Sequence, residues 1–232
     1  MISALVATAA VAISVWQVRL ASQQNAVTEQ DHLVQLTTNI AEQIAQGQAT
    51  PGGTALSDEL VTKLTVEGQA GTILIDELKD NGVAGYEYIE VAQALAFGGN
   101  AADAITDYKA ALKVPPHDPW TRASALRFMG ILYYQIDQPR IGHQTLVRAA
   151  KVLSEGRPLN SRSYIANSIA QAYVVDAYHQ LLTPYKGCST YQDDMKAAQK
   201  AIGSYPPSAN VQVFANAAKK AYQTKCTGSG AA

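Results

Sequence analysis

The sequence predicts an all-α protein, a solenoid of antiparallel helix pairs with an N-terminal transmembrane helix. Three observations carry that expectation. Apolar residues recur at helical spacing along most of the chain. The breaks between those stretches are short and built from Gly, Pro and Asn, as at Gly98-Gly99-Asn100 and Pro115-Pro116. All 12 tyrosines lie from Tyr86 onward, which marks the start of an aromatic-packed helical domain.

Composition narrows the function classes. Of 232 residues, 47% are hydrophobic and 16% charged, which argues against wholesale disorder. A net charge of -1 offers no basic field for nucleic acid, so none is expected as a partner.

Taken in order, residues 1–20 form the expected membrane anchor. Ile2 to Val18 carry no charge, Trp16 suits an interface, and Arg19 is placed to reach the headgroups. A secretory signal peptide would need a positive segment before the apolar run, and none is there. Residues 21–46 form a membrane-proximal helix whose stripe of Val27, Leu33, Leu36, Ile40 and Ile44 predicts pairing with something, self-association included. Residues 47–57 are a linker broken by Pro51-Gly52-Gly53, and Ser57 before Asp58 and Glu59 reads as an N-cap. Residues 58–84 are a helical connector, interrupted near Gly68 and Gly71 and stopped at Asp80-Asn81-Gly82.

The domain from 85 to 226 is repetitive. Tyr88, Val91, Ala92 and Leu95 share one face of a first helix. Ala104, Ile105, Tyr108, Ala111 and Leu112 share the matching face of a second. Small Ala92 and Ala104 permit a close crossing, with Tyr108 filling the space beside it. Leu126, Met129, Gly130 and Tyr133, then Leu146 and Ala149, make a second copy. Ile169, Ala170 and Tyr173, then Ala197, Ala198, Ala201 and Pro206, make a third, split by an insertion from His179 to Ser189. A last helix with Val211, Phe214, Ala218 and Tyr222 caps the array, and residues 227–232 read as a disordered tail.

This pattern resembles the tetratricopeptide repeat, on Tyr88, Ala92, Gly99, Ala104, Tyr108, Ala111 and Pro116. It departs from the family at Gly142, where alanine is usual, and at Ser154, where proline is usual. The copies begin at 85, 123 and 163, offsets of 38 and 40 residues, against a family period of about 34. The resemblance implies that the first helices of the pairs line a concave groove. The residues placed there are Tyr86, Gln93, Phe97, Arg127, Tyr134, Gln135, Tyr164, Asn167 and Gln171. Aromatics among amides suit an extended peptide backbone, so the expected function is a membrane-anchored scaffold that binds a protein or peptide. The alternative is a receptor-like accessory protein that senses a small ligand in the same groove.

Catalytic and metal chemistry is sparse. No two of the four histidines stand at helical ligand spacing, so no metal or cofactor is expected and the chain is read as a non-enzyme. Cys188 and Cys226 are either unpaired or joined in one disulfide. Arg19 is the sole basic residue near the membrane segment. It places the repeat domain of a single-pass protein on the cytoplasmic side, where both cysteines are expected to be free thiols.

Overall fold

A computed structural model describes residues 25–46, 57–78, 82–115, 118–155, 162–183 and 187–227. Among them are nine helices and no strand: α1 over 25–46, α2 (Asp58–Leu78), α3 (Gly85–Phe97), α4 (Ala101–Ala111), α5 (Pro119–Gln135), α6 (Pro139–Glu155), α7 (Arg162–Leu182), α8 (Gly187–Ile202) and α9 (Ala209–Cys226). The expected transmembrane segment, 2–18, lies outside the described residues, as do most of the linker and residues 228–232 of the tail. Among the described residues no helix is long and apolar enough to cross a membrane. The fold class is accordingly corrected to an all-α helical stack with no span among the described residues, and the single-pass membrane placement is not retained.

Local chemistry sets the helix ends. Ser57 Oγ accepts from the Leu60 amide (3.3 Å), as its N-cap role requires. Gly99 turns the chain at φ 81°, a left-handed conformation that costs glycine little, and Asn100 then caps α4. Asp118 caps α5 through the Thr121 amide (2.8 Å), with Pro119 at the first turn. Ser208 caps α9.

The helices pack as sequential pairs. α3 lies on α4, α5 on α6 and α7 on α8. α3 also touches α5, α5 touches α7, and α7 carries α9. The main core joins Leu33 of α1, Ile75 and Leu78 of α2, and Val91, Leu95, Tyr108, Leu126 and Met129 from the next helices. Ile40 and Ile44 meet Leu64 and Ala94 in a second cluster. The stripe on α1 is thus largely covered within the chain, and α1 and α2 are layers of the stack rather than an approach and a connector.

Glycines mark the closest crossings. α2 is continuous through Gly68 and Gly71, where an interruption was expected. Both are buried, and a Cβ on Gly71 would lie 2.5 Å from Val91 Cγ2. Gly130 and Gly142 oppose each other between α5 and α6. A Cβ on Gly142 would fall 2.6 Å from Tyr134 Cδ2 and 3.0 Å from the Gly130 carbonyl oxygen. The glycine at position 142 therefore has a packing cause. The expected insertion from 179 to 189 is mostly helix, with α7 running to Leu182 and α8 starting at Gly187.

A polar network ties α5 to α8. Tyr134 Oη donates to Asp176 Oδ1 (2.6 Å), and His143 Nδ1 lies 2.6 Å from Asp176 Oδ2. Gln180 Nε2 donates to Asp194 Oδ2 (3.0 Å), and Thr190 donates to Gln180 Oε1. Asp176 and Gln180 are fully buried. Burial first, then the nearby Asp176 carboxylate, pushes Asp194 up to about 7. Burial likewise raises Asp107 to about 6.

Cys188 at the start of α8 and Cys226 at the end of α9 form a disulfide, with Cα atoms 5.7 Å apart. The free-thiol expectation is corrected, and with it the case for a reducing compartment. Tyr191 stacks on Tyr222 nearby, at 4.3 Å between centroids. Lys225 Nζ donates to the carbonyls of Leu181 (2.7 Å) and Thr183 (3.1 Å), closing the end of α7. These links matter because α8 and α9 touch each other little and both rest on α7.

Three outcomes follow from this packing. Gly142→Ala gains helix propensity but forces a methyl onto a pinned tyrosine ring, so stability should fall by about 1–2 kcal/mol, or about 2–8 °C in Tm. An unchanged or higher Tm would contradict the crossing. Asp194 and Asp107 hold protons more tightly folded than unfolded. Their stabilisation is full below the ordinary carboxylate range and is lost as pH rises through about 6–7. Tm should therefore fall between about pH 5 and about pH 8, and Asp194→Asn should flatten that slope. Finally, alkylation of the denatured, unreduced protein should add no label, and reduction should cost about 2–4 kcal/mol of stability. Two labels before reduction would contradict the pairing.

Candidate functional site

Alternate helices of the stack face a common hollow. α1, α3, α5, α7 and α9 all contribute to a half-open groove of about 680 Å³. Its wall is aromatic and aliphatic: Tyr86, Ile89 and Phe97 from α3, Trp120, Phe128 and Ile131 from α5, Val175 from α7, and Phe214 from α9. Ala41, Ile44 and Ala45 of α1 close one end. Polar groups are few and spaced: Glu90, Gln93, Thr121, Ser124, Arg127, Gln171 and Asn210. An apolar wall with a few fixed polar groups is the usual make-up of a ligand site.

Among the described residues, two charged side chains line this groove. Arg127, on the central α5, is half-buried. One Nη donates to Gln171 Oε1 across on α7 (2.7 Å), and the guanidinium lies 4.9 Å above the Phe128 ring. Burial lowers its proton affinity, and the Tyr164 and Tyr108 hydroxyls work the other way. The ion pairs among the described residues are Lys63–Glu67, His143–Asp176 and Lys151–Glu155, and none reaches Arg127. Glu90, on α3, is pushed up to about 6 by burial. Gln93 Nε2 donates to it weakly at 3.4 Å.

Of the nine groove residues expected from sequence, Tyr86, Gln93, Phe97, Arg127 and Gln171 line the groove. Tyr86 and Phe97 stand at its rim, 51% and 37% exposed. Tyr134 does not belong there. It is buried, bonds Asp176 and stacks on His179 at 5.2 Å. Although Arg127 and Tyr134 share one face of α5, α7 covers that face at the level of Tyr134. Tyr164 packs at a tilt against Trp120, with ring centroids 4.7 Å apart, and with Arg127 bounds a separate small cavity. Asn167 is a clasp: its Oδ1 accepts from the Ser208 amide (2.5 Å) and its Nδ2 donates to the Pro206 carbonyl (3.2 Å), docking the start of α9. Gln135 is exposed at the end of α5, outside the groove lining.

Sequence reasoning missed Glu90, Trp120, Phe128 and Phe214 as lining residues. Glu90 stands three residues before Gln93, one helical turn away, so its position was open to the same argument. Phe214 and the α1 residues depend on the curvature of the stack, which no local pattern reports.

Among the described residues no three His, Cys, Asp or Glu side chains converge on a metal-sized space, and the disulfide occupies both cysteines. No family model, curated protein or solved structure matches the chain.

The groove geometry generates one direct expectation. Gln171→Ala frees the Arg127 guanidinium from its anchor while leaving the apolar wall intact. Its stability should fall by no more than about 3 kcal/mol, the upper scale of one hydrogen bond to a charged group. Collapse of the fold would show that the Arg127–Gln171 pair is structural.

Proposed function

We propose that this chain is a helical-repeat binding protein that takes a protein or peptide segment into its concave groove. One observation carries the reading: four alternate helices, α3, α5, α7 and α9, present aromatic or amide side chains to a single hollow that small and aliphatic residues of α1 close at one end. The resemblance to tetratricopeptide repeats supports it, because such arrays expose their first helices in this way. Amides at Gln93, Gln171 and Asn210 offer both donors and acceptors to a peptide backbone. Rim aromatics supply contact area at low entropic cost.

The second reading, a small-ligand sensor, is favoured by the groove's size alone. About 680 Å³ lies within the range of small-molecule sites, ~300–1,000 Å³.

Selection of displayed random peptides on the full chain tests the first reading. Enriched sequences should bind the protein and lose about tenfold or more in affinity on the Tyr86→Ala, Phe97→Ala double variant, whose side chains are exposed enough to spare the fold. A failure to enrich any sequence would contradict it. A dialysable fraction that raises Tm where no peptide does would move the assignment to the sensor.

A further inference from the structure

We infer that the groove reads one acidic side chain, an Asp or Glu within an otherwise apolar extended segment, by pairing its carboxylate with Arg127. The inference rests on the peptide reading above and names the chemistry of the partner.

The argument starts from charge. A guanidinium held in a partly desolvated groove is costly unless an anion shares the space. Among the described residues its one hydrogen-bond partner is the neutral Gln171 amide oxygen, at 2.7 Å. That contact and the Phe128 face fix the plane of the guanidinium. The remaining N–H groups form a planar fork that matches a carboxylate. Glu90 in the same groove does not meet this need. Burial raises its carboxyl, and it makes no ion pair with Arg127.

The number and place of the charge follow. Among the described residues Arg127 is the one Lys or Arg lining the groove, so it matches one carboxylate and leaves a second unpaired. It projects from α5, the third of the five lining helices. Lining continues on either side of it, from Ile44 and Phe97 to Asn210 and Phe214. A chain end bound at Arg127 would leave one side of the groove empty, whereas a side chain in mid-segment lets the apolar neighbours fill both sides.

Oriented libraries of N-acetylated, C-amidated peptides test this, with about nine residues spanning about 30 Å when extended. The central position is fixed in turn as Asp, Glu, Asn, Gln, Ala or Lys, and each pool is titrated against the full chain. The Asp or Glu pool should bind about tenfold or more tightly than its amide counterpart. Added salt should shrink the difference. Arg127→Met keeps the apolar stem and should abolish it, with Tm as the folding control; Arg127→Lys should retain part of it. Should Arg127→Met fail to fold, the acid-to-amide ratio and its salt dependence on the native protein decide alone. Equal binding of acid and amide pools would overturn the inference and leave the peptide reading standing. So would an acid preference that survives in folded Arg127→Met. Tighter binding of pools with a free C-terminal carboxylate and a neutral centre would place the carboxylate at a chain end and overturn the internal placement. Binding by no pool would overturn both the inference and the reading beneath it.

Discussion

Close approach of helices at glycine and alanine is the constraint on which the rest of the structure depends. Gly71 admits Val91, Gly130 admits Leu146, and Gly142 admits the Tyr134 ring. Fully buried Ala92 and Ala104 sit in the same core cluster as Tyr108. Dispersion is gained only when surfaces meet at van der Waals distance, so each missing side chain on one helix becomes a seat for a large one on the next. Helices seated this closely pair with their sequence neighbours and leave the alternate helices to line the groove.

The polar network answers a different need. A helix pair closed around Gly130 and Gly142 needs its filling side chain held still, and Tyr134 is fixed by Asp176 and by the His179 ring. The same Asp176 meets His143 of α6, and Gln180 passes the linkage to Asp194 of α8. Buried networks of this kind specify one arrangement when each member finds a partner. Beyond α8 the apolar contribution thins: Val211 and Ala218 are the fully buried residues of α9. The disulfide, the Lys225 contacts and the Asn167 clasp hold that last layer, which carries the Phe214 and Asn210 walls of the groove.

Helix existence and most boundaries were legible from the sequence because caps and turns are local. Ser57, Asn100 with Gly99, and Ser208 do what their residue types favour. Neighbour identity was less legible. Periodicity told which residues share a face of their own helix but not which helix covers that face. Hence Tyr134 was assigned to the groove beside Arg127, although α7 buries it. Gly68, Gly71 and Gly142 looked like breaks or departures because their role is defined by Val91, Leu95 and Tyr134 across the gap. The cysteine pairing depended on α8 and α9 both lying on α7, a contact between residues 38 apart in sequence. The stripe on α1 was correctly apolar, yet its partner was this chain's own α2 and α3.

The central claim, that glycine seats bring paired helices into direct contact, is tested most directly by one proton NOE spectrum of the isotopically labelled full chain. The account predicts strong cross-peaks from Gly142 Hα to the Tyr134 ring, from Gly130 Hα to the Leu146 methyls, and from Gly71 Hα to the Val91 methyls. Absence of these cross-peaks in a folded, well-dispersed spectrum would contradict the close crossings and the groove built upon them.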